Sequence, residues 1–160
     1  MASPATHRAL AENEADPGIV DALAQLSFLV QGRLAKRAGA QDLSMIQTRL
    51  LGVLRDRQPT MQQLARLLEL DKSSVTGLVD RAERRGLVRR APSRDDRRSV
   101  HVSLTPRGRR VIGEVGGAFT SDLASLTDCL SPAARRQLST LAARIVSDYA
   151  AARDIDLRAR

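Results

Sequence analysis

The chain of 160 residues contains a single cysteine, two phenylalanines, one tyrosine and no tryptophan. A lone Cys129 excludes an intrachain disulfide framework and a multi-cysteine zinc site, and it suits a reducing compartment. No run of about 18 apolar residues occurs. Residues 1–16 alternate small, polar and charged types and lack the apolar core of a signal peptide. A cytoplasmic protein with no membrane partner is expected. The only histidines, His7 and His101, have no metal-ligand company at a sensible spacing, and no nucleophile stands beside a base. Catalysis, a cofactor and a metal site are therefore not expected. His101 reads as a surface residue near the functional surface, and Cys129 as a buried, inert thiol.

What the chain has in quantity is positive charge, and its placement is uneven. The formal net charge is +8. From Lys72 to Arg110 there are twelve Lys and Arg against four acids (Asp80, Glu83, Asp95 and Asp96), while the remaining residues carry fourteen of each sign. One quarter of the chain thus holds the whole net charge, which points to a polyanion as partner. Unpaired bases would need aromatic side chains to stack on, and none is interleaved with this basic segment. Duplex DNA is the better match.

Periodicity gives the order of elements. Asp16-Pro17 reads as an N-cap and a first-turn proline. Behind it Ile19, Val20, Leu23, Leu26, Val30 and Leu34 recur at helical steps, predicting a long helix to about Arg37 that Gly39 ends. A second helix follows Ser44, and these two read as core-forming scaffold. Thr60 and Gln63 form a capping box that opens a short helix. Leu70 closes a tight turn, Asp71 offers another N-cap, and Val75, Leu78 and Val79 face inward from the next helix. That spacing is a helix-turn-helix, with Glu69 at a turn position where glycine is frequent. After Gly86 the period changes to that of two short strands, residues 87–90 and 99–104, around a charged hairpin loop, residues 91–98: a wing. Thr105-Pro106 and Ser131-Pro132 open two further helices, with Gly116-Gly117 a place where the first of them could bend. The expected fold is mainly α with a small β-wing: a winged helix-turn-helix with six helices and a helical dimerisation region. Residues 1–15 read as a flexible tail, 16–58 as scaffold helices, 59–105 as the DNA-binding lobe, 106–150 as C-terminal dimerisation helices and 151–160 as a fraying end.

The stretch Leu78 to Val88, followed by Asp96-Arg97-Arg98 and then by Val100 to Leu104 with Thr105-Pro106-Arg107-Gly108, resembles the MarR family of transcription regulators. With the flanking helices the resemblance spans roughly residues 17–150. It implies an obligate, triangular homodimer whose first, fifth and sixth helices form the interface. Each winged lobe would read half of a pseudo-palindromic operator, most simply as a repressor. The alternative is a nucleoid-type architectural protein that binds DNA without sequence preference.

The recognition helix would start near Lys72 and place Lys72, Ser73, Ser74 and Thr76 at base edges and phosphates, with Arg81 reaching the backbone one turn later. Helix capping by Ser73 and Ser74 beside Asp71 is the plainer alternative. Gly77 leaves bare a position where family members often carry a long side chain. In the wing the resemblance makes Asp96 and Arg98 a carboxylate and arginine pair, with Arg94 and Arg97 nearer the tip and competing to enter the minor groove. Arg107, Arg109 and Arg110 are expected at phosphates or acids of the same lobe. The family's effector pocket maps onto Phe28, Met45, Arg49 and Phe119. A small anionic or phenolic ligand would suit it, although these apolar residues at helical spacing also fit a simple core.

Overall fold

A computed structural model describes residues 18–92 and 100–152. The Asp16-Pro17 helix start, both tails and the wing residues Arg94, Asp96, Arg97 and Arg98 lie outside the described residues. The chain divides into two units, residues 1–32 and residues 33–160.

The described part of the first unit consists of the opening turns of α1 (Gly18–Gly39). Ile19, Val20, Leu23 and Leu26, expected as core, are exposed there, together with Phe28 and Leu29. A helical period reveals that one face must be covered but not by what. Here nothing among the described residues of the same unit covers it.

In the larger unit α1 ends at Gly39, with Ala38 buried, and the chain continues through α2 (Met45–Arg55), α3 (Met61–Leu68) and α4 (Lys72–Arg84). The strands β1 (Val88–Pro92) and β2 (Val100–Leu104) precede α5 (Pro106–Leu126) and α6 (Pro132–Ala151). The described residues thus form six helices and one two-stranded sheet. Each start has a local cause. Ser44 with Gln47 and Thr60 with Gln63 make full capping boxes, while Asp71, Thr105 and Ser131 each accept a backbone N–H from the first turn of their helix. Thr105 and Ser131 are followed by a proline, whose missing N–H costs nothing at that position.

Leu50, Leu51 and Leu54 of α2 pack with Leu64 and Leu68 of α3, Val75, Leu78 and Val79 of α4, Val88, Val102 and Leu104 of the sheet, and Ile112 and Val115 of α5 in one core. The strands are antiparallel, with Val88 opposite Leu104 and Pro92 opposite Val100. Strand β1 extends through Ala91 and Pro92, which the sequence assigned to the loop; proline is tolerated at a strand end because no partner needs its N–H. On the far side of β2, the Val102 N–H donates to the Pro59 carbonyl at 3.0 Å. His101 Nδ1 lies 2.7 Å from the Gln58 carbonyl, which can only accept, so the ring donates there. His101 is accordingly half-buried and ties the wing to the α2–α3 connection, which corrects its reading as a free surface residue.

The α5 helix runs unbroken past Gly116 and Gly117. Its Asp122 receives two hydrogen bonds from Arg37 of α1, at 2.7 and 2.6 Å. Of the twenty residues of α6 only Ala150 is buried, and Leu138, Leu141, Ile145, Val146 and Tyr149 are all exposed. Cys129, in the α5–α6 connection, is exposed as well, against the expectation of a buried thiol. It lies three residues past the end of α5.

Candidate nucleic-acid interface

The α3–turn–α4 unit is built around Glu69, which adopts the left-handed conformation (φ 55°) that glycine would take most easily. Its N–H closes α3 onto Ala65 and Arg66, at a conformational cost of about 1 kcal/mol. The turn then places Asp71 at the head of α4. Both Ser73 and Ser74 donate their hydroxyls to Asp71, at 2.5 and 2.6 Å, and the Ser74 N–H donates to it at 2.8 Å. The two serines therefore do cap the helix. With their protons committed to Asp71, their exposed oxygens are left as acceptors. The Thr76 hydroxyl likewise donates to the Lys72 carbonyl, at 2.8 Å.

The Ser73 hydroxyl, followed by the Ser74 hydroxyl and N–H, holds the Asp71 carboxyl well below the usual carboxylate range. A folded-state pKa below the unfolded one, near 4, means the cap is fully effective above about pH 4 and is lost as pH falls through the folded value. The stability gap between wild type and Asp71→Ala should thus be complete at about pH 6 and shrink toward about pH 2, as denaturant titrations across that range would show.

Lys72, Ser73, Ser74 and Thr76 are brought together on the first two turns of α4, and all are exposed. Arg81 lies one turn further and folds back along the helix. A β-carbon at residue 77 would stand 3.3 Å from its guanidinium Nη1, so the bare Gly77 is what the arginine lies over. Between this face and the start of α2 is a cleft of about 350 Å³, lined by Ile46, Leu70, Ser73, Ser74, Gly77, Leu78 and Arg81. None of the four residues assigned to an effector pocket lines it. Met45 is half-buried at the head of α2, Arg49 is exposed on α2, Phe119 is half-buried on α5, and Phe28 belongs to the other unit.

The basic segment separates into two sets. Lys72, Arg81, Arg84, Arg107 and Arg110 are exposed and pair with no acid among the described residues. Four others are engaged inside the lobe. Arg85 donates to the Asp42 carbonyl at 2.8 Å and to Gln47 Oε1 at 3.3 Å, fastening the end of α4 to the α1–α2 turn. Arg89 donates to the Ser103 hydroxyl and Arg109 to the Leu104 carbonyl. Arg90 Nη2 lies 2.7 Å from Asp80 Oδ1, and its Nη1 lies 2.7 Å from Glu83 Oε2. Partial burial works against the charged form of Arg90, but the hydrogen bonds and charges of Asp80 and Glu83 outweigh it and raise its pKa. Sequence counting credited these four arginines to the polyanion. For Arg90 a signal was present, since Asp80 and Glu83 share one helix face at a spacing of three.

A model of the MarR family matches residues 41–99. Over 129 residues the chain is 30% identical to the HTH-type transcriptional regulator PecS of Dickeya dadantii, covering 78% of this chain and 76% of PecS. The chain belongs to the MarR family. This MarR-family regulator is also 35% identical over 100 residues to the HTH-type transcriptional repressor NicR of Pseudomonas putida, across 62% of this chain and 53% of NicR. Its fold is shared with a mutant of MepR from S. aureus bound to an oligodeoxyribonucleotide (TM-score 0.60, 19% identity, 84% of this chain and 99% of MepR). It is shared equally with NadR in complex with 4-hydroxyphenylacetate (TM-score 0.66, 22% identity, 83% of this chain and 95% of NadR). The expected winged helix-turn-helix fold is thus present.

Proposed function

We propose that this MarR-family regulator is a homodimeric repressor that reads a pseudo-palindromic operator in duplex DNA and is released by a small anionic or phenolic effector. The observation that carries the reading is the head of α4, where Lys72, Ser73, Ser74 and Thr76 stand exposed with Arg81 and Arg84 unpaired by acids among the described residues behind them. This end enters the major groove, and the wing, with Arg94, Asp96, Arg97 and Arg98 between its strands, follows the adjacent minor groove. Residues 59–105 are the DNA-binding lobe in this reading, and residues 16–58 and 106–150 carry dimerisation.

The second copy is supported by the uncovered apolar faces of α1 and α6. Release by an effector draws on NadR, whose structure holds 4-hydroxyphenylacetate, with Phe28, Met45, Arg49 and Phe119 as the residues assigned to the ligand. Such a ligand acts only if it binds one dimer geometry better than the other.

Half-sites should lie about 10 base pairs apart, centre to centre. Operator affinity should fall steeply with salt, as log–log titrations by fluorescence anisotropy would show, because bound cations displace the counterions of DNA. Arg97→Ala and Arg98→Ala should each abolish operator binding while light scattering still reports a dimer. Affinity flat in salt would sink the assignment of residues 72–110, and loss of the dimer would make those arginines structural. Unrelated duplex competing equally with the operator would instead mark a non-specific architectural protein.

A further inference from the structure

We propose that Arg90 is the clamp that sets the angle of the wing against the recognition helix, and that Asp80 and Glu83 serve DNA binding through it despite carrying the same charge sign as DNA. Arg90 is a positioning residue here, not a DNA contact. The inference rests on the reading that α4 and the wing engage the duplex together.

The geometry joins two elements at three points. The guanidinium bridges Asp80 and Glu83, each at 2.7 Å, and the Arg90 backbone N–H donates to Glu83 Oε1 at 3.1 Å. Glu83 thus holds the strand by side chain and by backbone at once. It does so on the edge of β1 facing away from β2, where an unpaired N–H would otherwise face α4. A planar guanidinium can present separate N–H groups to two carboxylates, which an ammonium cannot do in the same fixed plane.

Charge makes the arrangement informative. The three groups sum to one negative charge on the very surface that would approach a polyanion, so electrostatics alone would favour losing the acids. Their side chains are between two-fifths and one-half exposed, at 40% for Glu83 and 48% for Asp80. Ion pairs this open to water add little to global stability. What they do supply is a fixed relation between α4 and β1, so that one element entering the major groove delivers the other to the minor groove without a separate ordering cost.

The test uses the full chain with two variants, Asp80→Asn/Glu83→Gln and Arg90→Lys, titrated against an operator fragment and an unrelated duplex. The clamp requires the double variant to lose about tenfold or more in operator affinity while holding or gaining affinity for unrelated DNA. Arg90→Lys, with its charge kept, should lose operator affinity in the same direction. Hydrogen exchange at the Arg90 amide should accelerate in the double variant even without DNA, with the melting temperature nearly unchanged. Tighter operator binding by the double variant, or unaltered binding by Arg90→Lys, overturns the clamp and makes Arg90 an ordinary phosphate contact. A wild-type protein that binds neither duplex overturns the DNA reading itself, and the clamp's function with it, and is told apart because wild type fails first.

Discussion

Gly108→Ala is expected to lower the stability of the protein by about 3 kcal/mol, near the upper end for overpacking a rigid site. In the structure α5 approaches the start of β1 so closely that a β-carbon at residue 108 would run into the Leu87 carbonyl oxygen, with the carbonyl carbon 2.9 Å away and Leu104 Cδ2 at 3.2 Å. The obstacle is backbone, so no side chain can swing aside. The approach is fixed from several directions. The Thr105 hydroxyl donates to the Gly86 carbonyl at 2.6 Å while accepting the Gly108 N–H at 3.0 Å, and the Thr105 N–H donates to the Leu87 carbonyl at 3.0 Å. Gly86 itself holds a positive φ of 66° as the chain leaves α4. The Leu104-Thr105-Pro106-Arg107-Gly108 sequence is therefore a joint: Leu104 anchors it in the core, Thr105 caps α5 and ties it to β1, and Gly108 leaves room for the contact. Thermal unfolding should show the midpoint fall by roughly 10 °C. Gly113→Ala in the same helix is the control. Beyond its chain neighbours and the backbone of its own helix, no atom among the described residues lies within 4 Å of a β-carbon there, and the better helix propensity should stabilise by up to about 1 kcal/mol. Equal behaviour of the two variants would refute the joint.

The contrast between these two glycines shows what a sequence can and cannot display. Caps are local, so Ser44, Thr60, Asp71, Thr105 and Ser131 were all legible as helix starts from two to four neighbouring residues. The helix-turn-helix was legible for the same reason, because Leu64, Leu68, Val75 and Leu78 repeat at the period of the helices they bury. Roles that depend on contacts across dozens of residues have no such signature. Arg85 meets Asp42 at a separation of 43 residues and His101 meets Gln58 at the same separation, so Arg85 was only counted with the basic segment and His101 was read as a surface residue. Even at the interface the residue types pointed to DNA without showing how the protons were already shared. Ser73 and Ser74 were expected at bases or phosphates, with capping beside Asp71 as the plainer alternative, and their hydroxyl protons are engaged by Asp71. Periodicity has a complementary limit. The apolar steps of α1 and α6 located faces that need covering, yet could not show that these faces stay exposed among the described residues.

Leu141→Glu combined with Ile145→Glu is expected to convert the protein to a monomer and to lower operator affinity about a hundredfold or more, the loss that follows when two linked half-site contacts become independent. Leu141 is 52% and Ile145 57% exposed, and they lie four residues apart on one face of α6. A twenty-residue helix with one buried side chain gains almost nothing from the chain it belongs to, and isolated helices are marginal in water. The exposed row of Leu138, Leu141 and Ile145 is larger than scattered surface hydrophobics require, and a second copy burying it would stabilise the helix as it forms the dimer. Two carboxylates placed there would have to be desolvated without partners, which opposes association strongly. The helix-turn-helix and its sheet should survive the change, because the core cluster draws on Ala38 of α1, on α2 to α5 and on the sheet, and contains no residue of α6. Light scattering should then report a single chain, half-site DNA should still be bound, and the salt slope on the full operator should fall toward half because only one set of phosphates is neutralised. A variant that stays dimeric with unchanged operator affinity would show that the faces of α1 and α6 are covered by something other than a second copy of this chain.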